Sequence, residues 1–202
     1  MKLLHTGDWH IGKLVHGVHM TDDQRMLLDQ WIERLKIEPP DVILLAGDVY
    51  DRSVPPVEAV ALLDETLTTL VRDMKIPVIV IAGNHDNPLR LGFGNRLLEE
   101  MGLHIAAVYQ GQIKPVVLKD TYGEVAFYPV PYVEPIFVRE IHNRSEIASH
   151  EEAFQVILEG VEREIKAHPE RRHVLIAHGL FVGDSDPLRS ESERLLTVGG
   201  TE

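Results

Sequence analysis

Four stretches of the chain share one arrangement of apolar and polar positions. Asp41 to Asp51 reads DVILLAGDVYD, an apolar run from Val42 to Ala46 followed by Gly47 and Asp48. Such a run is long enough for a buried parallel strand and too short for a typical helix. The glycine permits a sharp turn. Asp48 is thereby left at the carboxyl end of the strand, where open α/β sheets keep their ligand sites. The same order recurs in KLLHTGDWH (Lys2 to His10), in IPVIVIAGNHD (Ile76 to Asp86) and in HVLIAHG (His173 to Gly179). Each predicts a strand that ends on Asp, Asn or His.

The intervening segments are mostly periodic. A loop is expected up to Met20, and Thr21-Asp22-Asp23-Gln24 then predicts a capping box. The helix it opens carries Leu27, Leu28, Trp31, Ile32 and Leu35 as an apolar face. Pro39-Pro40 stops it, and Pro55-Pro56 opens a second helix with Val60, Leu63, Leu67, Leu70 and Val71 on one side. NHDNPLRLGFG leads into a short helix ending near Gly102. From Ile113 to Pro129 the pattern predicts an antiparallel hairpin turning around Asp120 to Gly123. Pro129, Pro131 and Pro135 predict an extended, irregular stretch. Ser149 caps a helix with Phe154, Ile157, Leu158, Val161 and Ile165 inward, Val174 to Ala177 is a last buried strand, and a polar loop is expected after Phe181. Strands alternating with helices in this order predict a layered α/β domain, with β-sheets flanked by helices and the site at the carboxyl ends of the strands.

Composition narrows the function without choosing it. At 202 residues, 44% hydrophobic and 26% charged, the chain suffices for one domain with a sizeable core. It has no cysteine, so disulfides and zinc–thiolate sites are excluded, which fits a reducing compartment. MKLLHTGDWH is too short an apolar stretch for a signal peptide, and no run approaches a membrane span. A cytoplasmic protein that does not enter membranes is the expectation. The net charge is −12 with eleven histidines counted neutral, so nucleic acid cannot be bound by bulk positive charge.

The residues closing the four strands have the chemistry of metal ligands. Asp8 and His10, one residue apart, can turn toward one cation. Asp48 can bridge two, Asn84 offers an amide oxygen and His178 an imidazole nitrogen. Nitrogen and oxygen ligands without thiolate suit Mn, Fe or Zn better than Ca, and less clearly Mg. Two cations roughly 3.5–4 Å apart activate water and clamp the non-bridging oxygens of a phosphate. His85, next to Asn84, can instead face the substrate, stabilising charge or protonating a leaving oxygen. Each piece taken alone is an ordinary turn or a hydrogen-bonding histidine; the conjunction, in this order and each after a strand, points to a dinuclear phosphoesterase.

GDWH, GDVYDR, GNHD and AHG, in this order, resemble the calcineurin-like metallophosphoesterase superfamily. Within it the chain is most similar to the SbcD nuclease family, through LHTGDWHIGK, LLAGDVYDRSVPP, GNHDNPLRLGFGNRLLEEMGLHI, YPVPYVEP and the tail HGLFVGDSD…ESERLLTVGGTE. The resemblance implies a manganese-dependent DNA phosphodiesterase, a 3′→5′ double-strand exonuclease and hairpin or single-strand endonuclease of DNA repair, recombination and replication. It also implies a homodimer, built from the helices after the second and third motifs, and a partner, an SbcC-type coiled-coil ATPase. By position, Asp8, His10 and Asp48 would hold one cation and Asp48, Asn84 and His178 the other, with His85 catalytic. The family has a further G-H-x-H motif, and no histidine follows His178. Residues 1–202 are therefore expected to be the nuclease domain truncated before its last motif, without the capping and partner-binding regions, binding metal weakly and cleaving poorly.

Two further residues are candidates for the substrate phosphate. LVHG resembles a family segment near the substrate, which implicates His16, whereas His19 is expected to be an exposed loop residue. GDVYDR overlays the GDxVDR motif of phosphoprotein phosphatases, whose arginine contacts phosphate, against which Arg52 could simply pair with Asp51. Asp51 is expected to brace its loop, Trp9 to pack and His5 to be packed within its strand. Rival readings are a phosphoprotein or nucleotide phosphatase of the same superfamily, and a weakly catalytic dimerising scaffold.

Overall fold

In the computed structural model, residues 1–181 are described; the polar loop and the ESERLLTVGG part of the tail motif fall outside them. Two sheets pack face to face. The first has four parallel strands in the order β1-β4-β5-β6, formed by Leu3–Thr6, Val42–Ala46, Val78–Ile81 and Leu103–Ala106. The central strands β4 (VILLA) and β5 (VIVI) are buried at every position, as strands covered on both faces must be. The second sheet has the order β7-β8-β9, formed by Val116–Asp120, Gly123–Val130 and Arg172–Ala177. Its first pair is the expected hairpin and its second pair is parallel. Val42, Leu44, Ile79, Ile81, Val125, Phe127 and Ile176 fill the space between the sheets.

Helices α1 (Thr21–Ile37) and α2 (Val57–Thr68) cover the outer face of the first sheet, where Ile32, Leu35, Leu62, Leu63 and Leu67 meet Ile43, Leu45, Val78 and Val80. A π-helical turn, Thr69–Asp73, ends α2. Short helices α3 (Pro88–Leu91) and α4 (Asn95–Leu98) and a 3-10 turn lead to β6. Helices α5 (Pro135–His142) and α6 (His150–Ala167) join β8 to β9. Ser149 caps α6 as expected, and Glu152 makes the cap a reciprocal capping box.

Several expectations fail, each for a local reason. The loop before α1 contains a two-stranded hairpin, β2 (Leu14–Val15) and β3 (Val18–His19), turning on His16 and Gly17, both at positive φ. Thr21 is itself helical and Met20 precedes it without a side-chain cap, so the Thr21–Gln24 capping box does not form. Leu27 is exposed and Val60 half-exposed, so the apolar faces of α1 and α2 are narrower than expected. Strand β6 is not announced by the apolar pattern, and the stretch after Pro131 is helical from Pro135, which occupies the first turn where its missing N–H costs nothing. His5 is exposed because β1 is an edge strand with alternating burial.

Candidate metal centre

Register fixes the site. Thr6 pairs with Leu45 and Ala46 with Ile81, so β1, β4 and β5 end at one level, and Gly7-Asp8, Gly47-Asp48 and Gly83-Asn84 leave the same rim. Val130 pairs with Ala177 in the second sheet, and the amide of Tyr132 donates to Ala82 O (2.8 Å), which draws His178 to that rim. The first two loops continue to pair after their strands end: Asp8 N donates to Gly47 O, His10 N to Asp48 O and Ile11 N to Val49 O.

Asp48 is the buried centre, 3% exposed. Its Oδ2 lies 3.6 Å from His10 Nε2, 3.5 Å from His178 Nε2 and 4.0 Å from His85 Nε2, and its Oδ1 accepts from the His85 amide at 2.9 Å. Burial alone would raise the carboxyl's pKa, but the bonds from His178 and the His85 amide hold it below its ordinary value. Asp8, His10 and Asp48 offer ligand atoms within 4.8 Å of one another. On the other side, His178 Nε2 is 3.0 Å from Asn84 Oδ1, while its Nδ1 lies 2.8 Å from Ala46 O. A carbonyl can only accept, so Nδ1 carries the proton there. Nε2 faces two oxygen acceptors, and the bond to Asp48 raises the His178 pKa to about 9. The residues thus surround a position that asks for positive charge. A cation can take the place of the Nε2 proton. His10 Nδ1 is buried with no hydrogen-bond partner, Asp51 Oδ1 standing 3.5 Å away. The donor set fits divalent cations bound by nitrogen and oxygen.

The backbone is bent to make this arrangement. Asp8, His10 and Asp48 have φ of 54°, 44° and 48°, a region that costs non-glycine residues about 1–3 kcal/mol each. A Cβ on Gly47 would strike the His178 ring, and one on Gly83 would strike the Asp48 carboxylate. Only glycine lets the loops close this tightly.

The remaining candidates are placed as follows. His85 Nδ1 lies 2.8 Å from Asp51 O, and its ring meets the His10 ring edge-on at 4.7 Å. Its Nε2 is therefore directed at the cluster while the ring stays accessible. Asp51 braces the loop, near His10, Lys13 (3.8 Å) and Arg52 (3.8 Å). With His10 and His85 it also forms a second group of potential ligands. Arg52 is exposed and paired with Asp51. His16 sits at the exposed hairpin tip, and no ion pair or hydrogen bond among the described residues joins it to the cluster. Trp9 packs against Trp31 with rings 5.5 Å apart and donates to Thr6 Oγ1.

Two supporting residues escape a reading for ligands. The buried Asp86 accepts from the amides of Val49 (3.1 Å), Tyr50 (2.9 Å) and Gly83 (2.9 Å), joining the second and third loops. Burial pushes its carboxyl up, and those amides pull it back. Gln24 donates to Trp9 O (3.0 Å) and His10 O (2.8 Å) and accepts from Gly12 N (2.9 Å), clamping the first loop from α1.

Comparison with known proteins gives the family. The calcineurin-like phosphoesterase family profile matches residues 1–191. The chain is 36% identical over 202 residues to the SbcD subunit of the nuclease SbcCD from Staphylococcus saprophyticus, covering all of this chain and 51% of that protein. It is 35% identical to the protein of the same name from Staphylococcus epidermidis, covering 52% of it. The chain thus spans about half the length of the curated relatives it matches.

Proposed function

The chain belongs to the calcineurin-like phosphoesterase family, and from that premise we propose that it hydrolyses phosphodiester bonds in DNA with two divalent cations, manganese being the best suited. The observation that carries this reading is Asp48 Oδ2, within 4.0 Å of three imidazole nitrogens contributed by three different loops. Asp8, His10 and Asp48 would hold one cation, and Asp48, Asn84 and His178 the other. Cations bound there supply Lewis acidity toward water and toward the phosphate oxygens.

The chain's own residues do the rest. The bond between His85 Nδ1 and Asp51 O leaves Nε2 free to carry a proton to the leaving oxygen at the exposed side of the cluster. Asp51 and Gln24 hold the first loop, and Asp86 holds the second against the third. The likeness to proteins named as part of a nuclease supports double-strand exonuclease and hairpin endonuclease action in DNA repair, recombination and replication, alongside an SbcC-type ATPase in the cytoplasm. No described helix is long and apolar enough to cross a membrane. A homodimer is proposed through the groove of about 410 Å³ between α2 and α4, where Val60, Phe93 and Met101 are exposed.

Hydrolysis of a hairpin DNA and of a phosphopeptide, each with manganese, tests the reading; cleavage of the peptide alone overturns it in favour of a phosphatase. His85→Ser should lower DNA hydrolysis by about 10²–10⁴-fold with cation affinity nearly unchanged. Undiminished activity in that variant would remove His85 from the reaction.

A further inference from the structure

We infer that the rim beside the cation cluster carries an aromatic stacking surface, made by Tyr132, His150, Phe154 and Phe181, that holds unpaired nucleobases next to the phosphate being cut. His150 and Phe154 are four residues apart at the start of α6 and so share one face, their Cβ atoms about 5–6 Å apart. Each supports a second ring. Tyr132 lies 5.4 Å from His150 at an interplanar angle of 35°, and Phe181 lies 5.3 Å from Phe154 at 63°.

Both outer rings are tied to the metal loops. The Tyr132 amide bonds Ala82 O, two residues before Asn84. Phe181 follows His178 by three residues, which limits their separation to about 11 Å. The base of the surface is firm, because Phe154, Val133 and Ala177 pack on the same buried cluster around Val130, Val138 and Ile147. Tyr132 Oη donates to Glu134 Oε1 at 2.9 Å, which fixes its ring. Phe181 is nevertheless 62% exposed and Leu180 88%.

The charge of the chain explains why such a surface is useful. A protein of net charge −12 cannot draw in a phosphate backbone by bulk electrostatics. Stacking supplies affinity that any base can provide, since every base has a π-face. A paired base has that face covered, so the surface favours single strands, frayed ends and hairpin loops. The inference rests on the phosphodiesterase reading for its class of ligand.

Fluorescence anisotropy on the 202-residue chain with manganese, using a labelled oligothymidylate and an abasic strand of equal length, tests it. The base-bearing strand should bind at least about fivefold tighter. Phe181→Ala should abolish most of that preference and Phe181→Trp should keep it, both with unchanged circular dichroism. Equal affinity of the wild-type chain for the two strands, or an equal loss for both in Phe181→Ala, overturns the inference. Calorimetric manganese titration of wild type against Asp48→Asn separates the two readings. Should Asp48→Asn bind manganese as wild type does while the base preference persists, the phosphodiesterase reading falls and the stacking surface stands.

Discussion

His178 Nε2 stands 3.5 Å from Asp48 Oδ2, although one residue ends a strand of the second sheet and the other a strand of the first. Their meeting makes the rim a single site and not two neighbouring ones. Asp48 also faces His10 and receives the His85 amide, so its side chain meets groups from each of the three other loops.

Asp48→Asn is therefore expected to weaken cation binding more than any change outside the ligand set. Outer partners of ligands are typically worth 10–100-fold in metal affinity, so the loss here should exceed about 100-fold. Isothermal titration with manganese measures it. Affinity within tenfold of wild type would show that Asp48 does not bridge.

Asp86 tests the frame beneath the ligands. It is 6% exposed and accepts three backbone amides. Asp86→Ala strands those donors in the interior, at a cost of about 3–5 kcal/mol, since each unsatisfied buried group costs about 1–3 kcal/mol and the loops relax in part. A drop in the urea midpoint at unchanged m-value checks this. A loss under about 1 kcal/mol would mean that water replaces the carboxylate.

Gln24 tests whether α1 positions the first loop. Gln24→Ala removes three hydrogen bonds to the backbone of Trp9, His10 and Gly12 and leaves every proposed ligand side chain in place. Cation affinity should fall about 10–100-fold, with a stability loss of only about 1–2 kcal/mol because the site is partly solvated. Restoration by Gln24→Glu is not expected, since a carboxylate cannot donate to the two carbonyls. Calorimetry and urea denaturation on the same samples distinguish positioning from general destabilisation.

These residues also mark what the sequence makes legible. Strands β4 and β5 announce themselves as unbroken apolar runs, and the proposed ligands follow from what closes them. Ser149 is a local capping signal and caps α6 as expected. Helix α5 is hidden because Pro135 breaks a helix interior but favours a first turn, and only the following residues decide which. The exposure of His5 depends on the sheet order, which places β1 at an edge. Gln24 carries a signal for capping, yet its amide serves a loop twelve to fifteen residues upstream, and such partners are set by tertiary packing. Asp86 is visible as an acidic residue in a glycine-bounded turn, where neighbouring amides need an acceptor.

Acid sensitivity should originate away from the proposed metal centre, at Asp120. Its carboxylate accepts from Arg172 Nη1 (3.1 Å) and Nη2 (2.6 Å), from the terminal amino group of Met1 (2.7 Å) and from the Tyr122 amide (2.7 Å). The Arg172 guanidinium, first among these, holds the Asp120 carboxyl well below the usual carboxylate range. A carboxyl whose pKa is depressed by folding contributes stability above its unfolded pKa of about 3.9 and loses it as pH falls through the folded value. The contribution is thus complete at neutral pH and declines below about pH 4. Asp120→Asn should lower the melting temperature at pH 7. The gap from wild type should narrow as the medium is acidified, because protonation deprives the wild type of the same ion pair. Melting curves recorded from neutral to acidic pH decide the matter: a gap that stays constant would place the acid-labile interaction elsewhere, and a gap that closes fixes it at the ion pair of Asp120 with Arg172, which reaches across β8.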